Sequence, residues 1–339
     1  MEGMIKMKVL HIPYGSPMIN LCKALRHKGI DATSCHFYSN RYNFKPDFNL
    51  NLDKTPSNQR EAKLKEYLNR VIKDYDIIHF HFGETFFPDK SDLELLKKAG
   101  KKMVVHHHGS DVRLLSKAKA LNPYVRVKPE WSEEKIRKNL SILSNYIDYA
   151  VVQDYELKDY IQEYYKEVHV IPHAIDLNQF QPNYPEAKAI PLIVHAPTLR
   201  DLKGTEFILA AVNQLKKEGL SFEFKLIEGM TFDETQKALI QSDIIIDQLR
   251  IGASGYISSE AMALGKPVIC YIRQDLVKKY PDGLPIVNAN PDSITTVLKN
   301  LLSQPKTWKE LGKQGRTYVE NHHDIRKLGE SYIEVYKKL

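Results

Sequence analysis

Short apolar runs alternate with segments of helical periodicity along the first half of the chain. The run MKVLHI (7–12) ends at Pro13-Tyr14-Gly15, and apolar residues at helical spacing follow over 19–29. The same order recurs as far as residue 176, with helical periodicity over 67–73, 93–98 and 132–146 and strand-like runs over 76–82, 102–108, 149–153 and 168–176. Strands that alternate with helices predict parallel βαβ units.

The alternation stops between Leu177 and Ile190, in a polar, proline-containing stretch that is typical of a linker. It resumes with strand-like runs over 191–197, 222–229, 243–249 and 267–272 and helical segments over 204–219, 233–242 and 258–265. The final stretch contains only helices, and the last one needs a partner for Leu328, Tyr332, Ile333 and Tyr336. The pattern predicts two doubly wound α/β domains, at 1–176 and 191–320, a linker at 177–190, and a terminal helix at 321–339.

The composition places the chain among soluble globular proteins, with 339 residues, 42% of them hydrophobic and 27% charged. No stretch has the eighteen or so apolar residues that cross a bilayer, and the start lacks a signal-peptide pattern, so we expect a cytoplasmic protein. Its three cysteines are widely spaced and form no CxxC pair. They indicate neither a disulfide framework nor a zinc site.

The positive charge is concentrated in the first half of the chain. Residues 1–170 hold 28 Lys and Arg against 22 Asp and Glu, an excess of 6, whereas the rest holds 21 against 20, an excess of 1. The basic residues on one helical stretch and in the region after 108 are Lys63, Lys65, Arg70, Lys73, Lys117, Lys119, Arg126 and Lys128. Peripheral contact with an anionic membrane and a merely solvated face both explain this charge. No recognisable basic helix or aromatic platform supports nucleic-acid binding.

The segment HAPTLRDLKGTEF (195–207) is the strongest candidate for ligand binding. A strand ends there, Arg200 and Lys203 follow, and Gly204-Thr205 opens a helix. Ligands of open α/β sheets bind at the carboxyl ends of strands, near helix N-termini. A diphosphate at this place would meet Arg200 as a forked donor, Lys203 as a point charge and the helix dipole. For an isolated RxxKG segment, a solvated surface loop would be the better interpretation.

The segment RIGASGYISSEAMALGKPVI (250–269) supplies a second loop to the same domain. Gly252 and Gly255 let the backbone approach a ligand closely, and Glu260 lies in the first turns of a helix. A carboxylate so placed accepts both hydroxyls of a ribose, while the N–H groups of Gly255, Tyr256 and Ile257 face its phosphates. Glu260 alone would be an ordinary first-turn residue, but two such loops together favour a nucleotide site.

Three consecutive histidines, at 106–108, invite a metal interpretation. Consecutive strand residues point to opposite faces, so the three cannot bind one ion as a group, and we expect no metal. His108 precedes Gly109 at the strand end and is the member that we expect in a binding cleft. Asp111 and Arg113 are expected to hold the next loop by pairing. His79 and His81 alternate with aromatic residues and are interpreted as core or rim histidines.

Taken together, these segments resemble the family-four retaining glycosyltransferases of GT-B fold. The similar pieces span nearly the whole chain: the opening strand and loop to Gly15, HGSDVR (108–113), VIPHAID (170–176), the RxxKGT segment, and SSEAMALGKPVI (258–269). The resemblance implies two Rossmann-like domains that face a cleft and a C-terminal helix that returns to the first domain. It also implies a hexosyltransferase that uses a nucleoside diphosphate sugar, UDP- or GDP-linked, as co-substrate without another cofactor.

The resemblance further assigns roles to individual residues. Arg200 and Lys203 would neutralise the diphosphate with help from Gly204, the Gly255–Ile257 amides and Gly15. Glu260 would bind the ribose, and His108 would face the donor sugar as the catalytic residue. Asp111, Gly252, Ala253 and Ser254 would lie near that sugar. No metal is expected, because the cations and the helix N-terminus would stabilise the departing diphosphate.

Three departures from the family pattern bear on these roles. The family usually carries two glutamates eight residues apart, and Gly252 stands where the first, sugar-binding glutamate is expected. The phosphate-binding arginine usually lies five residues before the lysine, a place held here by Thr198. The opening loop has only Gly15, and Pro17 has no amide proton, so it offers fewer donors than the paired-glycine version.

The sequence therefore predicts transfer of a sugar to an acceptor hydroxyl with retention, in cell-surface glycan or glycolipid synthesis. The acceptor is unidentified, and a lipid-linked or glycan acceptor at the inner face of the membrane would suit the basic first half. Two rival interpretations remain open. One is a nucleotide-sugar epimerase of the same fold, and the other is a non-catalytic partner subunit, which the missing glutamate at Gly252 favours.

Overall fold

The computed structural model describes residues 7–40, 42–281 and 283–339, which form two compact units. Unit 1 holds the described residues up to Leu114, together with Pro129–Ala174 and Ile325–Leu339. Unit 2 holds Leu115–Lys128 and Ile175–Asp324. Each unit is built on its own parallel β-sheet with helices between the strands.

Unit 1 contains a seven-stranded sheet in the order β3-β2-β1-β4-β5-β6-β7. Every neighbouring pair is parallel. Its strands are β1 (Lys8–Ile12), β2 (Asp31–His36), β3 (Phe48–Asn49), β4 (Ile77–His81), β5 (Lys102–His107), β6 (Tyr149–Val152) and β7 (Glu167–Val170). Its helices are α1 (Ser16–His27), α2 (Ser57–Asp74), α3 (Asp92–Lys98), α5 (Glu133–Ser144), α6 (Tyr155–Ile161) and α14 (Ile325–Lys337).

Unit 2 contains a five-stranded parallel sheet in the order β12-β11-β10-β8-β9. Its strands are β8 (Leu192–His195), β9 (Glu223–Leu226), β10 (Ile244–Ile246), β11 (Val268–Cys270) and β12 (Ile286–Asn288). Its helices are α4 (Leu115–Leu121), α7 (Arg200–Lys203), α8 (Thr205–Lys217), α9 (Phe232–Gln241), α10 (Tyr256–Ala263), α11 (Gln274–Val277), α12 (Ile294–Leu302) and α13 (Trp308–His322). The predicted α/β architecture with two doubly wound domains is confirmed.

The C-terminal helix α14 packs on α1 of unit 1 and gives the predicted return of the chain to the first domain. Its apolar face joins one buried cluster with Leu21 and Leu25 of α1, and Tyr332 and Tyr336 are almost wholly buried there. The close approach depends on Gly329, where an added Cβ would stand 2.5 Å from the carbonyl oxygen of Ala24. The apolar residues left unpartnered in the sequence pattern thus have their partner within unit 1.

The units divide the chain differently from the expected boundaries. The segment Leu115–Lys128, expected within a domain spanning 1–176, groups with unit 2. The expected linker 177–190 also packs on unit 2, because Leu177 and Phe180 are buried in its core and the Asn183 amide donates to the Leu264 carbonyl over 2.8 Å. None of the described helices is long and apolar enough to cross a membrane.

Candidate functional site

The two loops singled out in the sequence meet at the carboxyl edge of the unit 2 sheet. Strand β8 ends at His195, whose Nδ1 donates to the Ile246 carbonyl and whose Nε2 accepts from the Thr205 hydroxyl, each over 2.8 Å. Burial lowers the pKa of His195 to about 4, so the ring is neutral and the bond to Thr205 persists at neutral pH. The first residue of α8 is therefore fixed to the end of β8.

Lys203 ends the short helix α7 and is held by two side chains that follow β10. Its Nζ donates to Asp247 Oδ1 over 2.9 Å and to Gln248 Oε1 over 2.8 Å. Burial opposes ionisation of Asp247, but the charge of Lys203 and the hydrogen bonds around it hold the pKa of that carboxyl below its ordinary value. Sequence reasoning had not included Asp247 or Gln248 in the site.

Asp247 also binds the start of α10 and so joins the two loops. Its Oδ2 accepts from the Gly255 amide over 2.8 Å and from the Ser258 hydroxyl over 2.7 Å. A Cβ on Gly255 would lie 2.5 Å from this oxygen and 3.0 Å from Lys203 Nζ, so only glycine fits. The Gly255 amide, expected to face a phosphate, is bound to Asp247 in this structure. Tyr256 and Ile257 begin α10, which therefore starts two residues before the predicted helix at 258–265.

Glu260 lies in the middle of α10 and is 3% exposed. Its Oε2 accepts a hydrogen bond from Gln236 of α9 over 3.1 Å. Burial raises the pKa of Glu260 to about 8, so the carboxyl group is largely protonated at neutral pH. A neutral carboxyl both donates and accepts, which suits it to paired hydroxyl groups.

Arg200 begins α7 and is engaged by a carboxylate. Its guanidinium forms a two-pronged ion pair with Glu228, in which Nε donates to Oε1 over 2.8 Å. The pair lies at the surface, where the Arg200 side chain is 58% exposed. The predicted pair of cations is therefore present, but each cation has a carboxylate partner, Glu228 for Arg200 and Asp247 for Lys203.

The loop between β10 and α10 is built around Gly252. Its φ is +85°, and an added Cβ would stand 2.4 Å from Arg273 Cγ and 3.3 Å from Asn122 Nδ2. Asn122, which follows α4, donates to the carbonyls of Arg250 and Ile251 over 2.7 and 2.9 Å. The place of the family's first glutamate therefore has no room for a side chain in this structure.

The rest of this loop is also held by hydrogen bonds. The Ala253 carbonyl accepts from Gln248 Nε2 over 2.5 Å, and the Ser254 amide donates to the Tyr280 hydroxyl over 3.2 Å. Gly204 stands at the start of α8 with a φ of +74°, close to the side chains of Leu249 and Arg250. The loop around Gly252 is thus fixed by residues from several elements of unit 2.

His108 follows β5 in unit 1 and belongs to a cluster of histidines on one face of the sheet. Its Nε2 lies 3.0 Å from His81 Nδ1, and its ring stacks on His106 and Phe82 at centroid distances of 4.3 and 4.2 Å. Burial is the main cause of a pKa well below the ordinary value at His81, His106 and His108. These imidazoles are neutral at physiological pH.

An aromatic stack extends from His108 toward the loop after β1. Tyr14 lies flat on Phe82 with centroids 4.5 Å apart, and Tyr14 is 39% exposed. Phe82 has a φ of +59°, an uncommon conformation for a residue with a side chain and one that occurs often at functional sites. The Gly15 amide, expected to meet an anion, donates instead to His36 Nε2 over 3.1 Å.

Asp111 and Arg113 each pair, but not with one another. Asp111 Oδ2 lies 2.7 Å from His107 Nδ1, while its Oδ1 accepts from the amides of His108 and Gly109. Arg113 makes a buried two-pronged ion pair with Glu156 over 2.7 and 2.8 Å. Asp111 therefore holds the backbone of the His108 loop, as expected, and its place beside the donor sugar stays a prediction.

The basic residues named in the sequence analysis were all expected in the first domain, but the structure divides them between the two units. Those at 63–73 lie on α2 of unit 1, whereas those at 117–128 lie in unit 2. On α2, Lys65 pairs with Glu61, and Lys63 donates to the Leu50 carbonyl and the Thr55 hydroxyl. The charge of the first half is therefore divided between the units.

Comparisons with known proteins agree with the architecture. Residues 18–179 match the model of Glycosyltransferase Family 4. No curated protein matches the chain in sequence. Sucrose-phosphate synthase from Thermosynechococcus elongatus is 16% identical with a TM-score of 0.67, and the match covers 98% of each chain.

Two further solved structures are similar over the whole chain. Alr3699/HepE of Anabaena, in complex with UDP and glucose, is 13% identical with a TM-score of 0.68 and covers 98% of this chain and 100% of its own. The UDP-GlcNAc 2-epimerase of Neisseria meningitidis, bound to UDP-GlcNAc, is 16% identical with a TM-score of 0.58 and the same coverage. At these identities the likeness shows the fold alone. Residues 18–179, just under half of the chain, are thus similar to Glycosyltransferase Family 4, and the whole chain has the two-domain α/β architecture of the GT-B fold.

Proposed function

We propose that the chain transfers a hexose from a UDP-sugar to an acceptor hydroxyl with retention of configuration. The reaction uses no metal and no cofactor besides the nucleotide sugar. The observation that carries the proposal is the bridge made by Asp247, which joins Lys203 at the end of α7 to the Gly255 amide at the start of α10. This bridge assembles both predicted nucleotide-binding loops into one site within unit 2.

The diphosphate binds to the cations of this site. Lys203 has three N–H donors, two of which are used by Asp247 and Gln248, so the third is directed to a phosphate oxygen. Arg200 exchanges Glu228 for phosphate at small cost, because water screens an ion pair this exposed. A phosphate can accept the same two parallel N–H bonds from the guanidinium that Glu228 accepts here.

The nucleoside binds along α10. Glu260 takes the ribose hydroxyls, and the first-turn amides of α10 approach the diphosphate, in keeping with the general use of helix N-termini for anions. The choice of uracil as the base is supported by the similar structure of HepE, which holds UDP and glucose. GDP is the alternative that the binding experiment must test.

Transfer with retention requires no covalent intermediate on the protein. The bond between the anomeric carbon and the diphosphate oxygen breaks while the acceptor oxygen attacks from the same face. The acceptor proton passes to the departing diphosphate oxygen, so charge and atoms balance. Lys203 and Arg200 stabilise the charge that develops on the diphosphate. The resemblance assigns His108 to the donor sugar, where its neutral ring donates or accepts a hydrogen bond but carries no charge.

An epimerase is the second candidate, because the similar structures include UDP-GlcNAc 2-epimerases. We propose to incubate the protein with UDP-hexoses in the presence and absence of simple acceptors and to analyse the products by NMR. Transfer or slow donor hydrolysis, with the anomeric configuration of the product kept, supports the proposal. An epimerised UDP-sugar formed without acceptor favours the second candidate. Binding of UDP without turnover of any UDP-hexose, with or without acceptor, favours a non-catalytic subunit.

We also place this activity in the cytoplasm, at the inner face of a membrane that carries the acceptor, a lipid-linked sugar or glycan. Support comes from Lys65, Arg70 and Lys73, which are exposed on α2 of unit 1. Co-sedimentation with liposomes that contain anionic lipid, compared with neutral liposomes, tests this part separately. Equal binding to both kinds of liposome would contradict the proposed contact with an anionic membrane and would leave the transferase proposal unaffected.

A further inference from the structure

Five histidines project from one face of the unit 1 sheet. His11 lies on β1, His79 and His81 lie on β4, and His106 and His108 lie at the end of β5. The register pairs His11 with His79 and His81 with His106, and alternate strand residues share a face. His107 projects from the other face, where it contacts Asp111 and Tyr165. The pattern depends on three neighbouring strands and not on the HHH run alone.

His106 is the member that points to a ligand. It is 3% exposed, and neither of its ring nitrogens has a hydrogen-bond partner among the described residues. A buried polar group without a partner destabilises the folded state, so such a group calls for an explanation. Its ring stacks on that of His108 and lies near that of His81, with centroids 4.3 and 5.4 Å apart.

The nitrogens of His81, His106 and His108 are close enough to share one ion. One ring nitrogen from each of the three lies within 4.8 Å of the other two. His81 Nδ1 and His108 Nε2 are 3.0 Å apart, where they share a hydrogen bond that an ion would replace, and this separation is near the roughly 3.3 Å between two nitrogens at about 2.0 Å from a tetrahedral ion. The other nitrogen of His81 lies 3.1 Å from His11 Nδ1, the kind of outer contact that fixes a metal-binding imidazole.

We infer that His81, His106 and His108 form a site for one zinc-like divalent transition-metal ion. Three imidazoles suit such an ion, and the partial exposure of His108 leaves a fourth position for water and a path for entry. The neighbouring trio of His11, His79 and His81 is less suitable. Its His79 Nδ1 and His11 Nε2 contact the Tyr336 hydroxyl at 2.8 and 3.3 Å, which occupies one nitrogen of each.

Cobalt provides the direct test, because Co²⁺ replaces Zn²⁺ and a tetrahedral Co²⁺ site absorbs visible light strongly. Untagged full-length protein, stripped with EDTA, is titrated with Co²⁺ and then with Zn²⁺. We expect one Co²⁺ per chain with a tetrahedral spectrum that Zn²⁺ abolishes. His106→Gln and His108→Gln are expected to weaken binding at least about tenfold. The half-buried His108 is included because its replacement disturbs the core less than that of His106.

Control variants separate this site from its neighbours. His27→Gln, on the surface of α1, and His79→Gln, in the other trio, are expected to bind Co²⁺ as the wild type does. Circular dichroism in EDTA verifies that each variant is folded. Absence of saturable Co²⁺ binding by the wild type would overturn the inference, as would unchanged affinity in a folded His108→Gln variant. Because no donor sugar is present, the result does not depend on the proposed transferase activity.

Discussion

Gly252 occupies the position at which the family usually carries its first glutamate, and it shows how one residue is fixed by its surroundings. Its φ of +85° and the side chains of Arg273 and Asn122 leave no space for a Cβ. The conformation of this loop therefore requires the glycine that departs from the family pattern. A glutamate could not simply be restored there.

We predict that Gly252→Ala destabilises unit 2 more than Gly219→Ala does. Gly219 has a similar φ, +87°, but nothing lies within 4 Å of an added Cβ, so that control isolates the backbone strain. The clash with Arg273 adds about 1–3 kcal/mol to the loss of unfolding free energy. Urea unfolding of the two variants measures the difference. Equal losses would show that the loop around Gly252 adapts without cost.

The residues of the candidate site differ in how far the sequence could reveal them. Lys203 and Glu260 could be found because glycines and strand ends mark their loops. Asp247 and Gln248 could not, since DIIIDQL indicates a buried strand and gives no reason for a carboxylate to turn toward Lys203. Asn122 is separated by 128 residues from the carbonyl that it binds, so only the folded chain shows the contact.

At the scale of elements, several strongly patterned segments were predicted well, whereas the polar strand β2 and the first ten residues of the longest helix, α2, were missed. β1, β4, β5 and α8 lie within about two residues of the predicted ranges. Strand β2 was missed, because DATSCH has no alternating apolar pattern and its polar Ser34 is buried by contact with Asp47. The histidine cluster was missed for a related reason, since it depends on the register between β1, β4 and β5.

The packing of α14 on α1 yields a prediction at this scale. In Gly329→Ala the new methyl group would meet the Ala24 carbonyl, which belongs to helical backbone and cannot move aside. We expect a loss of about 1–3 kcal/mol in unfolding free energy. Ser331→Ala, at an exposed position of the same helix, is the control and is expected to change stability by less than about 0.5 kcal/mol. Similar stability of the two variants, measured in urea, would contradict the described packing.

For the whole molecule, the buried histidines predict how stability depends on pH. Burial lowers the pKa of His11 to about 3 and that of His195 to about 4, and places four others well below 6.5: His79, His81, His106 and His108. These groups take up protons only on unfolding. Their contribution to the free energy of unfolding is complete above pH 6.5 and is lost as the pH falls toward their pKa values in the folded state.

Burial raises the pKa of four carboxyl groups, which act in the opposite direction: Glu84, Asp92, Asp154 and Glu260. The pKa is raised to about 8 at Glu260 and to about 7 at Asp154, so these groups stabilise the fold below their unfolded values and lose that effect as the pH rises. The six histidines outnumber these four carboxyl groups, so we expect net proton uptake on unfolding between pH 6.5 and 5. Urea unfolding across this range measures it. Stability that stays constant or rises toward pH 5 would be incompatible with six neutral buried histidines.

The loop that ends in Lys203 is proposed to bind the diphosphate of a nucleotide sugar, and calorimetric titration with UDP tests this binding most directly. Lys217 is an exposed lysine at the far end of α8, the helix that follows Lys203 in the chain. Lys217→Ala is therefore the matched control. We predict that the wild type and Lys217→Ala bind UDP alike, whereas Lys203→Ala binds at least about tenfold more weakly, a loss of about 1.4 kcal/mol. Unchanged UDP affinity in a folded Lys203→Ala variant, or binding of neither UDP nor GDP by the wild type, would contradict the claim.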